Sequence, residues 1–371
     1  MNFRIHQPFK QILILGGYGR AGNHIARLLV RYSEHSILIA GRNSEKAEKC
    51  ANELNAELNV NQVAGAEVDV SVPEDLTMAL KEIDFVIVCV PLNAQLTNNL
   101  IHAVLNSNCK AYLDISPGKE KHETFQKNQN LINEGEKVFI LDAGCEPGMP
   151  AVLIKFLKTL NSDIRKVKIN VVYRDRNMPD GSIQDLISHS DPGRILADGI
   201  LMKPMQNIKR VAFPLAFGRL RTVPVWIPEL DNIHNDAHIT DLEYRHAGIN
   251  GIANMTSLLW KKLLKFILPI KAGIKLFKWT IRNFTKNPLG GLLIVEGKEE
   301  LETTTVSCFH KDIYVATAIP VAVSVKLIVN NGFNTPGTHF MHEVVSIPEF
   351  IAECNKMGLQ IKVHSDNQNS H

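Results

Sequence analysis

Through the first 145 residues, short runs of consecutive apolar residues alternate with stretches whose apolar positions recur at helical spacing. KQILILGG (10–17), SILIAGRN (36–43), AEVDVS (66–71), DFVIVCVPL (84–92), AYLDIS (111–116) and KVFILDAG (137–144) read as six strands. Their apolar positions run on without alternation, so both faces of each strand are covered, as in a parallel sheet. AGNHIARLLVRYS (21–33), SEKAEKCANELNA (44–56) and PEDLTMALKE (73–82) read as helices between them. Ser44 stands where an N-cap belongs, and Pro73 suits a first helical turn. Strand and helix in strict alternation predict a doubly wound α/β domain.

The pattern changes after DAGCEPGMPAVL (142–153). KVKINVVYRD (166–175) reads as a strand, GSIQDLI (181–187) as a short helix, and RILADGILMKPM (194–205) as a hairpin turning at Asp198-Gly199. LLIVEGKEELETTTVSCF (292–309) is a second hairpin. Strand pairs with polar turns predict an antiparallel or mixed sheet, hence a second, α+β domain. Between the hairpins, residues 257–284 are helical and broken near Pro269, with seven basic residues and no acidic one. TAIPVAVSVKLIVNNG (317–332) reads as a buried helix entered through Pro320 and closed by Gly332. SIPEFIAECNKMG (346–358) is a further helix, and the polar end HSDNQNSH (364–371) reads as disordered.

A chain of 371 residues has room for two or three domains. With 45% hydrophobic and 21% charged residues it has the mix of a soluble globular protein, and a formal charge of +3 gives no reason to expect nucleic acid. The six cysteines contain no C-x-x-C pair, which fits a reducing compartment and argues against a disulfide framework or a cysteine zinc site. MNFRIHQPFK carries no apolar signal segment, so the expected location is cytoplasmic. The longest uncharged apolar stretch, 313–325, is shorter than the ~20 residues of a membrane span.

Gly16-Gly17-Tyr18-Gly19-Arg20-Ala21-Gly22 follows a strand and opens a helix, and contains G-x-G-x-x-G from Gly17. Glycines there allow a tight turn and close approach of the backbone, while the helix amides hold a pyrophosphate. The strand–turn–helix context separates this match from a glycine turn chosen only for packing. The second strand ends Ala40-Gly41-Arg42-Asn43-Ser44, with no carboxylate before Glu45. An NAD site would place an acid at that point, whereas Arg42 and Ser44 suit a 2′-phosphate, so NADP(H) is the expected cofactor. Arg42 is otherwise a solvated charge. By position, Asp69 would touch the adenine edge, or simply cap a helix, and Val90-Pro91 would border the ribose and nicotinamide.

ILILGGYGRAGNHIARLL, ILIAGRNSEKAEKCANEL, DAGCEPGMPAVL and YVATAIPVAVSVKLI together resemble the saccharopine dehydrogenase-like reductases, over roughly Lys10 to Gly358. The segment Gly144 to Gly148 and the ATAIP helix are the more discriminating motifs. The resemblance implies a Rossmann domain (1–145), an inserted substrate and dimerisation domain (146–311) and C-terminal helices (312–371) returning to the first domain. It also implies a homodimer and hydride transfer between nicotinamide C4 and an imine or its secondary amine. The saccharopine reductases themselves resemble V-P-Tyr with a nearby His after the fourth strand. This chain has Val90-Pro91-Leu92-Asn93-Ala94 instead, which puts saccharopine itself in doubt as the substrate.

Asp114, Cys145 and Glu146 end the fifth and sixth strands, where open α/β sheets bind ligands. They are the candidate catalytic groups: a carboxylate to steer a cationic amine and a thiol to relay a proton. The plainer readings are that Asp114 caps a turn and Cys145 is packing. Arg174, Arg176, Arg219 and Arg221, with Tyr173 and His189, are candidates to clamp a substrate carboxylate, or are surface polarity. His234 and His238 with Asp236 and Asp241, and the run His339 to Glu343, lack zinc-site order and read as polar loops, so no metal is expected. The basic stretch 257–284 either lies on an anionic membrane or, with lysine stems draped over apolar neighbours, covers its own domain or forms part of a dimer contact, and the soluble reading is preferred. The function classes left open are a C–N oxidoreductase, a membrane-associated reductase of a C=C or C=O bond in a lipid-like substrate, and a non-catalytic NADP(H)-binding redox sensor.

Overall fold

A computed structural model of the chain describes residues 11–188, 195–197, 200–202, 207–299, 302–332 and 335–366. The chain begins β1 (Gln11–Leu15), α1 (Arg20–Tyr32), β2 (Ser36–Gly41), α2 (Ser44–Leu58), β3 (Val63–Glu67), α3 (Pro73–Ala79), β4 (Phe85–Val88) and α4 (Ala94–Leu105). It continues β5 (Ala111–Asp114), α5 (Lys119–Lys127), α6 (Gln129–Glu134), β6 (Val138–Leu141) and α7 (Met149–Leu160). Next come β7 (Lys166–Arg174), α8 (Asp180–Ser188), β8 (Ile195–Ala197), β9 (Ile200–Met202), β10 (Lys209–Phe213) and β11 (Gly218–Pro224). Then follow α9 (Glu229–Asp236), β12 (Asp241–His246), α10 (Gly251–Lys262), a 3₁₀ turn (Leu264–Phe266) and α11 (Ile270–Phe284). The last elements are β13 (Gly290–Lys298), β14 (Thr303–His310), α12 (Ile313–Asn331), β15 (Gly337–Phe340), α13 (Met341–Val344), α14 (Ile347–Lys356) and β16 (Gln360–Asp366).

Two compact units emerge, one from 1–149 with 317–357 and the other from 150–316 with 358–371. The first holds a sheet of seven parallel strands ordered β3-β2-β1-β4-β5-β6-β15. β4, β5 and β6 are buried at every position, which is why their sequences show no alternation. Leu13, Leu15, Val86, Val88, Tyr112 and Phe139 from the strands pack with Leu76, Leu100 and Phe125 from the helices.

β15 is new relative to the sequence reading, which took His339 to Glu343 as a polar loop. Gly337 to Phe340 instead pair in parallel with Val138 to Leu141 at the sheet's edge. Four residues with three polar or small side chains give no hydrophobic signal, so only the register with β6 reveals the strand. The third strand also begins earlier than AEVDVS suggested, at Val63, and α2 is capped by Asn43, which accepts from the Lys46 amide at 2.8 Å, rather than by Ser44.

The second unit carries a mixed sheet ordered β10-β11-β12-β7-β13-β14-β16, with β8 and β9 paired to β12 off that path. Only β12 and β7 run parallel among neighbours on the path. Both expected hairpins are present as strand pairs; the turn residues Asp198 and Gly199 lie outside the described residues. The tail departs from expectation. Residues 364–366 belong to β16, which pairs with β14 in the second unit, so residues 360–366 do not join the returning helices.

α12 starts at Ile313, seven residues before Pro320, with Asp312 Oδ1 accepting from the Tyr314 and Val315 amides at 2.8 and 3.2 Å. Pro320 therefore sits inside the helix rather than at its entry. Ile313–Asn330 has a mean hydropathy of 1.8, long and apolar enough to cross a membrane, but 67% of it is buried within the protein, as in a core helix. Lys326, which ended the apolar run in the sequence, pairs with Glu353 of α14 at 2.5 Å.

Candidate functional site

β1 delivers the chain to a turn that only glycine fits. Gly16 has φ +78° and donates its amide to Ala40 O at 2.7 Å; a Cβ there would lie 2.8 Å from Val90 Cγ1. At Gly17 a Cβ would meet Ile14 O at 2.9 Å, and at Gly22 it would meet Gly16 O at 2.5 Å and Gly17 Cα at 2.7 Å. Gly19 is the N-cap of α1, yet no side chain caps that helix and its first turn carries no acid. The opening amides of a helix have no intrahelical acceptor, and the partial positive charge there favours an anion. Gly16 to Gly22, with Tyr18, Arg20 and Ala21 between the glycines, thus form a backbone turn whose uncapped helix start has the sign a pyrophosphate needs. The Tyr18 ring lies so close to Gly41 that a Cβ there would be 2.6 Å from it, tying the loop to the end of β2.

The end of β2 carries the discriminating charge. Arg42 is exposed, and Ser44 opens α2. The Val68 amide donates to Gly41 O at 3.0 Å, which brings Asp69 alongside Arg42. Asp69 accepts from the Ser71 amide at 2.9 Å and the Ser71 hydroxyl at 2.7 Å. Those hydrogen bonds, and after them the Arg42 charge, hold its carboxyl below the usual range. The Asp69 carboxylate is thus engaged in its own turn, and the Asn43 oxygen is engaged as the cap of α2. Arg42 is the cation at this strand end, where an NAD site would carry an acid. Arg42→Ala should weaken NADPH binding by about tenfold or more, ~1.4 kcal/mol, and leave NADH unchanged. Parallel fluorescence titrations check this, and equal losses for both cofactors would remove Arg42 from the 2′-phosphate.

Val90 reaches the glycine loop through its contact at Gly16, and its carbonyl accepts from Ser116 Oγ at 2.9 Å; Pro91 is exposed beside it. The segments carrying Gly16–Gly22, Arg42, Val90 and Cys145–Glu146 all leave the carboxyl ends of parallel strands, the edge where such sheets take ligands.

Asp114 does not face that edge. It is fully buried, accepts from Lys121 Nζ at 2.6 Å, Tyr112 Oη at 3.0 Å and the Asp142 amide at 3.2 Å, and so is sealed inside the protein. Lys121 Nζ also donates to Asp142 Oδ1 and Ser116 O, both at 2.6 Å. His122 Nε2 lies 2.8 Å from the other Asp142 oxygen, completing an ion cluster that ties α5 to the ends of β5 and β6. Burial alone would push Asp142 up, but Lys121 and His122 outweigh it and hold the carboxyl at about 2. Burial pulls Lys121 down, and its two carboxylates raise it above the ordinary lysine range. Asp114 is pushed up by burial, which outweighs the opposing pull of Lys121, and the neighbouring Asp142 charge pushes it further in the same direction.

Cys145 and Glu146 follow β6 in a turn closed by Gly148, whose φ is +121°. A Cβ at Gly148 would lie 2.5 Å from both Asp142 O and Gly144 O, which is why the Gly144 to Gly148 motif needs glycine at its end. Cys145 is buried and Glu146 half-buried. Lys121 and His122 were missed from sequence because KEKHETFQK reads as a solvated helix. The only hint was that Lys121 shares a face, at four-residue spacing, with the apolar Phe125.

Of the proposed carboxylate clamp in the second unit, Arg174 and Arg176 are engaged otherwise. Arg174 donates to Phe217 O at 3.0 Å and Asn287 O at 3.3 Å and lies 5.1 Å over the Phe217 ring; Arg176 donates to Thr285 O at 2.9 Å. Both therefore pin backbone, while Arg219 and Arg221 are exposed on β11. The Tyr173 ring lies 5.6 Å from that of His246, tilted by 52°, and His189 lies outside the described residues. Among the described residues no group of three His, Cys, Asp or Glu is arranged to hold a metal. His238 is exposed in a turn, His342 is buried in α13, and Glu343 accepts from the Phe340 amide at 2.7 Å.

Comparison with known proteins agrees with this geometry. Residues 12–138 match the saccharopine dehydrogenase NADP binding domain family. No curated protein matches the chain by sequence. Among solved structures, the saccharopine dehydrogenase (L-Glu forming) of Saccharomyces cerevisiae is similar with a TM-score of 0.64 at 13% identity, over 96% of this chain and 99% of that one. Pen from Bacillus thuringiensis covers 47% of this chain and 62% of its own at 16% identity, with a TM-score of only 0.30. At 13% identity the yeast enzyme shows a shared fold across both units and nothing finer. The family match, the glycine cradle and the arginine at the end of β2 agree on the cofactor, NADP, and residues 12–138 match the saccharopine dehydrogenase NADP binding domain family.

Proposed function

We propose that this chain is an NADP(H)-dependent oxidoreductase of the saccharopine dehydrogenase type. Its reaction is at a C–N bond: reduction of an imine formed from an amino compound and a carbonyl compound, or oxidation of the corresponding secondary amine. The observation that carries the reading is the glycine cradle at α1 with Arg42 beside it, a site built for NADP on a chain whose fold matches a saccharopine dehydrogenase. The bound cofactor supplies or accepts hydride at nicotinamide C4; the protein supplies orientation, electrostatics and a route for the proton.

The α1 amides bind the pyrophosphate, Arg42 pairs with the 2′-phosphate, and Val90-Pro91 form the wall between the glycine loop and the reacting end. Cys145 and Glu146 are the candidates to border the reacting carbon. Glu146 would hold a cationic amine, and the Cys145 thiol would pass a proton. Asp114 is left out of this set, because a carboxylate enclosed by Lys121, Tyr112 and the Asp142 amide cannot meet a substrate without breaking that cluster. A homodimer paired through the second unit is the assembly this reading carries.

The test is NADPH consumption with a panel of amino compounds and carbonyl compounds, alone and mixed. Consumption only in mixtures is the expected result, and Glu146→Gln should reduce it while leaving NADPH affinity intact. Consumption with a carbonyl compound alone would make the chain a C=O reductase. Tight NADPH binding without consumption in any mixture would make it a binding protein.

A further inference from the structure

The helical pair α10 and α11 buries one side thoroughly. Trp260 packs against Gly273 so closely that a Cβ there would be 2.7 Å from the indole, and Ile183, Ile249, Ala253, Ile274, Phe277 and Ile281 complete that core. Yet the turn joining the two helices turns its apolar residues outward. Phe266 is 76% exposed, Ile267 67% and Leu263 55%, with Leu268 and Ile270 also exposed.

The segment that carries this tip has charge of one sign only. From Tyr244 to Val295 the chain has no Asp or Glu, although acids and bases nearly balance over the whole sequence. On α11, Lys271, Lys275, Lys278 and Arg282 follow at four-, three- and four-residue steps, which places them on one stripe. All four are exposed, and Lys278 pairs with Asp180 of α8. Trp279, 55% exposed, and Leu276 lie beside that stripe, with Trp279 edge-on to Phe284.

We propose that the α10–α11 turn and the basic stripe of α11 form a docking surface for an anionic lipid membrane. Aliphatic and aromatic tips enter the interface between headgroups and acyl chains, while the cations meet the anionic headgroups. A second copy of this chain is the weaker occupant. A two-fold contact sets the same surface against itself, and these stripes would oppose like charges across the contact. The inference is independent of the chemistry at the NADP site.

The test is co-sedimentation of the full chain with vesicles of phosphatidylcholine alone and of phosphatidylcholine with roughly one-third phosphatidylserine. Binding should favour the anionic vesicles by about tenfold or more and fall as salt is raised. Phe266→Asp with Ile267→Asp should reduce it by about tenfold or more, and Lys271→Gln, Lys275→Gln and Arg282→Gln together should abolish the preference for anionic lipid. A circular dichroism spectrum and thermal unfolding matching the wild type show that each variant is folded. Equal partition of the wild type to both vesicles, or to neither, overturns the proposal, as does wild-type-like binding of the aspartate variant. A dimer that the aspartate pair dissociates, without vesicle binding, would assign the surface to a second copy and overturn it as well.

Discussion

Lys121→Met should destabilise the first unit by about 3–5 kcal/mol at neutral pH, the usual cost of removing one partner from a buried ion pair. The ammonium touches Asp114 and Asp142 at 2.6 Å each, and all three side chains are inaccessible to water. Methionine fills much of the same space, so the loss reports charge rather than volume. The cluster fixes the sign of the pH dependence. Asp142 is held at about 2 in the folded protein, below its unfolded value near ~3.9. Its contribution is therefore present above that unfolded value and is lost as pH falls through about 2. Lys121 is raised, so its contribution is complete below the unfolded lysine pKa and is lost only as pH rises through the folded one.

Without the ammonium, both carboxylates feel burial with little to offset it and take up protons at higher pH. The deficit of the variant should then shrink on mild acidification, because the orphaned charges neutralise. Urea unfolding of wild type and variant at neutral pH and near ~4.5 checks both statements. A deficit under about 1 kcal/mol at neutral pH, or one that does not shrink in acid, would contradict a buried ion cluster.

Gly22→Ala should weaken NADPH binding by about a hundredfold, ~2.7 kcal/mol. The added methyl would lie 2.5 Å from Gly16 O and 2.7 Å from Gly17 Cα, which are backbone atoms with no rotamer to turn aside. α1 must therefore shift away from the loop, and the amides at its start lose their alignment with the pyrophosphate. Gly181→Ala is the matched control, since a Cβ there meets nothing within 4 Å. NADPH titration of both variants, with circular dichroism to verify folding, decides it. Near-wild-type affinity for Gly22→Ala would mean the cofactor does not rest on α1.

The parallel sheet was legible in the sequence because each of its central strands is buried on both faces, leaving apolar runs such as FVIV and VFIL. The glycine loop was legible because the constraint is local: the turn, the close approach and the helix start all fall within seven residues. The place of Arg42 was legible for the same reason, one residue beyond β2 with no acid before Glu45, and its pairing with the 2′-phosphate is what the titration of Arg42→Ala tests. Tertiary structure alone decided what depends on partners distant along the chain. β15 is a strand only because β6 offers it an edge, and β16 joins the second sheet only through β14. Asp114 reads as a strand-end carboxylate open to a ligand until Lys121, seven residues on, and the Asp142 amide, 28 residues on, close over it. The apolar residues Phe266 and Ile267 face outward only because the fold packs the other side of α10 and α11 against its core. Backbone constraints and hydrophobic periodicity act over a few residues and leave a trace in the sequence, whereas burial and ion pairing depend on which surfaces the folded chain brings together.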